Sequence, residues 1–258
     1  MSFAQDTAVR PAGDGAYDAV CSTRWSAPNG PNGGYLAAIV VRAVQAELGD
    51  GAYALRSLTC HYLRPPADGP VRVEVELLRK GRTVATARAR MWQGDRHCVE
   101  ALGALTTVGE APSWEAEAPG VRRPEAIDAW PVNDRMPPIA QRLELRPAVG
   151  PMPFSGADEA TSGGWMRLRD HEGPLDHAAL ALLADAWLPA AFPRLTEPAA
   201  APTIDLTVHF RRAAPVAGHV LGVFRSVLSA EGLFEEDGEL WSEDGRLIAH
   251  SRQLALLR

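Results

Sequence analysis

The sequence predicts an α+β protein made of one unit used twice in tandem, each unit an antiparallel sheet wrapped around a long central helix. Three observations predict it. Thr203 to Arg212 reads T-I-D-L-T-V-H-F-R-R, with Ile204, Leu206, Val208 and Phe210 on one face and Thr203, Asp205, Thr207 and His209 on the other. Such period-two alternation marks a strand packed on one side. The strand also has an echo: Ser57 to Pro65, S-L-T-C-H-Y-L-R-P, aligns Leu58 with Leu206, Thr59 with Thr207, His61 with His209 and Tyr62 with Phe210. Finally, an Ala/Leu/Val-rich helical stretch precedes each of these strands, and further strand-like segments follow each.

Composition narrows the class. With 258 residues the chain is long enough for one large domain or two modest ones. A formal charge of -6 argues against a general nucleic-acid binder, which needs a basic face. Cys21, Cys60 and Cys98 have neither the spacing of a zinc site nor the even count of a disulfide framework, so buried reduced thiols of a cytoplasmic protein are expected. The N-terminus has no basic-then-apolar leader pattern, and the longest apolar run, Tyr35 to Val41, is too short to span a bilayer.

In the first half, Met1 to Gly13 is polar or small and expected to be irregular, and Ala16 to Arg24 reads as a first strand. Pro28-Asn29-Gly30-Pro31-Asn32-Gly33-Gly34 is a turn that no helix or central strand tolerates. It opens into a helix over Tyr35 to Leu48, stopped at Gly49-Asp50. Its first two turns are apolar nearly all round, so protein must surround it. Strands are expected at Leu55 to Leu63, Val71 to Leu78, Thr83 to Gln93 and His97 to Thr107, with turns at Pro65 to Gly69, Lys80-Gly81 and Gly94-Asp95.

Residues 112–138 carry Pro112, Pro119, Pro124, Pro131, Pro137 and Pro138 and no apolar period, which reads as a linker between halves spanning 1–111 and 139–258. Beyond it, strands are expected at Ile139 to Arg146 and Gly164 to Arg169, then a helix from Leu175 to about Phe192. Four strands close the chain: Thr203 to Arg211, Val220 to Ser229, Gly232 to Ser242 and Arg246 to Leu257.

Several short motifs occur in one order: Asn32-Gly33-Gly34-Tyr35-Leu36-Ala37-Ala38, His61-Tyr62-Leu63-Arg64-Pro65, Asp185 within L-L-A-D-A-W-L-P-A, Thr203-Ile204-Asp205 ahead of His209-Phe210-Arg211, and Gln253 in the last strand. In these the sequence resembles the TesB-like (type II) acyl-CoA thioesterases, double hotdog proteins, over nearly its whole length. It departs from that pattern where Leu206 follows Asp205 and Leu254-Ala255 follows Gln253. The resemblance implies an acyl-CoA substrate, no cofactor and no metal. Two hotdogs in one chain allow a monomer, while sheet edges allow a homo-oligomer.

The residues also speak for themselves. Asp185 is the one charged residue between Asp176 and Arg194, in a stretch of Ala, Leu, Trp and Phe. A carboxylate in such a wall must find donors, reach solvent or have a raised pKa. Pro189, four residues on, has no N–H for the Asp185 carbonyl, so the helix should bend or end there. That makes Asp185 a candidate general base; the plainer reading is a residue tying down a loop or facing solvent. By resemblance, Asp185 takes a proton from water while Thr203 and Gln253 orient it; a strand-opening Thr and a surface Gln are the ordinary readings. Strict alternation puts Thr203 on the face away from Phe210, so its role requires a bend just after Pro202 or a junction of the two hotdogs there. Gly33, Gly34 and Tyr35, at a helix N-terminus, are expected to offer amides to a thioester oxyanion, against the plain reading that the glycines serve the turn. His61 and His209, at matching strand positions, read as structural. Two other functions stay open: a hydratase or dehydratase on the same fold, and a non-catalytic protein that binds acyl chains or a partner.

Overall fold

A computed structural model describes all residues except Met1, Gly49, Asp50, Val108, Glu110, Glu172 and residues 213–216, so the helix stop expected at Gly49-Asp50 lies outside the described residues. The chain runs α1 (Phe3–Asp6), β1 (Arg10–Gly13), β2 (Ala16–Cys21), β3 (Ser26–Ala27), β4 (Gly30–Pro31), α2 (Gly33–Leu48), β5 (Ala54–Tyr62), β6 (Gly69–Lys80), β7 (Val84–Gln93) and β8 (Arg96–Thr106). It continues with β9 (Leu143–Val149), β10 (Thr161–Leu168), α3 (His177–Leu183), β11 (Thr203–Phe210), β12 (Val220–Arg225), β13 (Ser229–Ala230), β14 (Leu233–Ser242) and β15 (Leu247–Leu256).

The repeat read from the sequence becomes a symmetry of one sheet. Its order is β1-β2-β6-β7-β8-β5-β11-β15-β14-β12-β10-β9, with β13 on β14. The order reads alike from either end toward the central antiparallel pair β5–β11. In that pair Thr59 faces Thr207, His61 faces Asp205 and Ser57 faces His209. A pseudo-twofold axis therefore passes between the two aligned threonines, whose hydroxyls bond at 2.9 Å. His61 and His209 are exposed on either side of it.

One face of the sheet covers the helices. Tyr35 to Val41, Ala43 and Val44 of α2 are buried, as its apolar circumference requires. Leu206, Val208 and Phe210 of β11 and Leu55 and Leu58 of β5 join the same core. The two helices run antiparallel: Gly34 lies against Ala181 and Leu182, while Arg42 pairs with Asp176 at 2.5 Å. A Cβ on Gly34 would fall 2.8 Å from the carbonyl oxygens of both Ala181 and Leu182, so only glycine permits this approach.

The expectation of a long central helix in both halves needs correction. α2 spans 16 residues, but α3 spans only seven, His177–Leu183, where a helix to about Phe192 was expected. Asp176 caps its start through a bond to the Ala179 amide. At the other end the Asp185 carbonyl, denied a partner by Pro189, accepts from Asn32 Nδ2 at 2.7 Å, and the chain leaves the helix. The N-terminus also differs from expectation: Phe3 is 1% exposed and packs edge-on against Trp25, so α1 docks on the core.

Residues 112–138 contain a 3-10 turn at Pro124–Ala126 and the start of another at Pro138, with no strand. The stretch is nevertheless fastened to the second half. Trp165 Nε1 donates to the Arg122 carbonyl, Arg146 donates to the carbonyls of Pro124 and Ile127, and the Trp130 amide donates to the Leu145 carbonyl. Among the described residues no helix is long and apolar enough to cross a membrane.

Candidate active site

The site forms where the N-terminus of α2 meets the chain leaving α3. Asn32 caps α2, its Oδ1 accepting from the Tyr35 amide at 2.9 Å. Its Nδ2 donates to Asp185 Oδ2 at 2.9 Å, and the Gly34 amide donates to the same oxygen at 2.9 Å. The half-buried Asp185 carboxylate thus sits on the positive end of the other half's helix. Burial pushes its pKa up to about 6, against the pull of the Gly34, Gly33 and Asn32 donors. A poised carboxyl in this range suits a general base.

Tyr62, at the end of β5, donates to the Gly33 carbonyl at 2.8 Å and fixes the turn that presents these amides. A Cβ on Gly33 would lie 2.9 Å from Tyr62 Cζ and 3.0 Å from Asp185 Oδ2, so the glycine is required by the space.

The oxyanion role expected of Gly33, Gly34 and Tyr35 does not fit this arrangement. The Gly34 amide is committed to Asp185 and the Tyr35 amide to Asn32, while the Gly33 amide also holds the Asp185 carboxyl down. The helix N-terminus serves the acid.

Thr203 and Gln253 do come together, by a route that strict alternation hides. A bulge between Thr203 and Asp205 shifts the register, so Thr203 pairs with Ala255 while Leu206 pairs with Gln253. One extra residue turns Thr203 onto the inner face, the face of Ala255 and Gln253. There its hydroxyl donates to Gln253 Oε1 at 2.9 Å. Gln253 Nε2 in turn donates to Glu236 Oε1 at 2.7 Å, and Glu236 Oε2 accepts from the Ala190 amide, five residues beyond Asp185. Asp185 bonds directly to neither Thr203 nor Gln253; its connection runs through this link and through the field it exerts on Glu236.

Glu236, Asn32 and Tyr62 are site residues to which the sequence reading gave no part. Glu236 had a signal: Phe234, Glu236, Gly238 and Leu240 alternate on the buried face of β14. Asn32, immediately before a helix, carried the ordinary signature of a cap.

Two hotdogs joined edge to edge in one sheet define a double hotdog protein. Family comparison agrees. Residues 22–107 match the acyl-CoA thioesterase N-terminal domain and residues 116–257 the acyl-CoA thioesterase C-terminal domain, so the chain belongs to the acyl-CoA thioesterase family and is a thioester hydrolase. A hot dog fold protein of unknown function from Alicyclobacillus acidocaldarius is 27% identical, with 99% of this chain and 97% of that one covered at a TM-score of 0.91. The acyl-CoA thioesterase II TesB2 of Mycobacterium marinum has the same fold at 20% identity, with 100% and 98% covered and a TM-score of 0.81. An uncharacterized protein of Mycobacterium tuberculosis is 24% identical over 93% of this chain and 90% of its own length.

Proposed function

We propose that the chain hydrolyses an acyl-CoA thioester to the free acid and coenzyme A, with water activated by Asp185. The observation that carries this reading is the Asp185 carboxylate held by Asn32 and the Gly34 amide at the N-terminus of α2, on a segment tied through Ala190 and Glu236 to the uncharged Thr203–Gln253 pair. Asp185 Oδ1, which accepts neither the Asn32 nor the Gly34 bond, takes a proton from water as the water oxygen attacks the thioester carbonyl. Thr203 and Gln253 hold that water by hydrogen bonds. Collapse of the tetrahedral adduct breaks the C–S bond, and the proton on Asp185 passes to the departing thiolate. No covalent intermediate with the protein forms. In this reading the hotdogs of 1–111 and 139–258 contribute jointly, the first through α2 and Tyr62, the second through Asp185, Thr203 and Gln253.

The test is steady-state hydrolysis of a panel of acyl-CoA esters by wild type and Asp185→Asn. A positioned general base contributes about 10²- to 10⁴-fold, and a loss in kcat of that size is expected. Because the Asp185 carboxyl is pushed up to about 6, its basic form grows as pH rises through that value, and kcat should climb over the same interval. An active wild type whose turnover survives the Asn substitution would rule out Asp185 as the base.

A further inference from the structure

The site contains one buried acid that the hydrolysis as described does not use. Glu236 is 4% exposed, on the inner face of β14, and among the described residues no cation is its partner. A carboxylate so placed is expensive to bury and must be held by donors. It has two: the Ala190 amide on the chain that carries Asp185, and Nε2 of Gln253. Burial pushes its pKa up to about 7, the charges of Asp185 and Asp237 add to the rise, and those two hydrogen bonds oppose it. Asp237 points to the other face of β14, where it pairs with Arg252 of β15.

We propose that Glu236 is a positioning residue of this hydrolysis: an acceptor-only carboxylate that sets the direction of the Gln253 amide and, through it, of the Thr203 hydroxyl. The inference rests on the thioesterase reading above and gives it a further residue. Above about pH 7, where a carboxyl raised to about 7 is ionised, Glu236 has no hydrogen to give, so Gln253 must turn its NH₂ toward Glu236 and its carbonyl toward Thr203. The Thr203 hydrogen is then spent on Gln253 Oε1, as observed. Thr203 is left with lone pairs for water, and Gln253 with its second N–H. Water therefore meets a fixed order of acceptor and donor, and its own lone pair is turned toward the thioester carbon. The Ala190 bond also ties this pair to the segment bearing Asp185.

Substitutions separate this role from packing. Glu236→Gln keeps the shape, but once its carbonyl accepts from Ala190 its NH₂ faces Gln253. The Gln253 amide must then turn over, and the Thr203 hydrogen is released toward water. Glu236→Asp loses a methylene yet remains acceptor-only. Steady-state hydrolysis of the best acyl-CoA substrate at pH 8, where the acid is ionised, with thermal melting of each variant, should show kcat of Glu236→Gln at least about tenfold below that of Glu236→Asp, with KM within about twofold of wild type, the size expected for a misoriented reactant in an intact site. A residue that only packs predicts the reverse ranking, since the isosteric amide fits better, and that ranking would overturn the proposal. Should Glu236→Gln not fold, Glu236→Asp must by itself retain more than about a tenth of wild-type kcat by the same measure, and less would overturn it. A wild type inactive on every acyl-CoA ester defeats the hydrolase reading and this one together. An active wild type disabled by Asp185→Asn but showing the reversed ranking defeats only the role of Glu236.

Discussion

The two ends of the pseudo-twofold share one strand plan and hold opposite chemistry. Both β5 and β11 carry a bulge after their opening residues, between Leu55 and Ser57 and between Thr203 and Asp205. Registers on either side of the bulges make Leu55 the counterpart of Thr203, Gly103 of Gln253 and Ala87 of Glu236. Where the second half has a hydroxyl, an amide and a carboxylate linked by hydrogen bonds, the first has a leucine filling the space above a glycine: a Cβ on Gly103 would meet Leu55 Cδ1 at 3.4 Å. Tyr62 at the active end answers to Phe210, which loses the hydroxyl and packs edge-on against His177.

The helix ends differ in the same sense. At α2 the N-terminus receives a carboxylate from the other half, with no cation to quench it. At α3 the capping Asp176 belongs to its own helix and is paired with Arg42. One end of the pair is thus apolar and neutralised, supplying core, while the other keeps buried polar groups that cost stability, the groups to which the proposed hydrolysis assigns the chemistry.

Grafting the polar set onto the apolar end should have the largest effect. Leu55→Thr, Gly103→Gln and Ala87→Glu together would bury an amide and an acid among α2 and β5 side chains and shrink a core leucine, lowering unfolding stability by roughly 3–5 kcal/mol or more in denaturant titration. No second active site is expected, because Asp176 at that end is already paired with Arg42.

A smaller effect should appear in the pH dependence of stability. The pKa of Glu236 is raised from 4.5 to about 7 on folding. The folded state therefore holds its proton more tightly than the unfolded chain, so this group's contribution is greatest below about 4.5 and is lost as pH rises through about 7. The full loss is about 3 kcal/mol at 1.36 kcal/mol per pKa unit. Glu236→Gln should accordingly melt above wild type at pH 8 and show little difference at pH 4. A gap that fails to change between these two pH values would contradict the assignment of buried charge to this end.

The smallest effect is expected on the axis itself. Thr207→Val removes the hydroxyl bond to Thr59 at a half-exposed strand pair and should cost about 0.5–1.5 kcal/mol without altering kcat. A loss of turnover with the axis substitution would mean that the two ends communicate across it.

Much of this was legible before any coordinates. The Thr59–Thr207 alignment falls on the pseudo-twofold axis because a repeat of period-two patterns must pair the same way in both copies. The apolar circumference of α2 and the break near Asp185 follow from local pattern and local chemistry, while Gln253 is singled out by family resemblance and not by its own pattern. Three features were not legible. The bulge that turns Thr203 inward changes phase by one residue, and nothing in T-I-D announces it. α3 stops at Leu183, ahead of the break that Pro189 imposes: the Asp185 and Ala186 amides turn back to the Leu182 and Leu183 carbonyls, and Asn32, more than 150 positions away in sequence, takes the Asp185 carbonyl. The amides of Gly34 and Tyr35, free in any isolated helix, are occupied only because Asp185 and Asn32 are brought to them.

By itself the sequence determined that the chain folds as two sheet-and-helix units, which residues face inward along most strands, and that Asp185 is an unusual acid. Periodicity and proline chemistry act within a few residues, so the linear chain records them. Only the tertiary structure decided which end holds the buried polar groups, which amides serve the acid, and that Glu236 closes the chain of hydrogen bonds behind Thr203 and Gln253. Those outcomes depend on register between strands and on contacts between halves, where a shift of one residue reverses the face a side chain occupies.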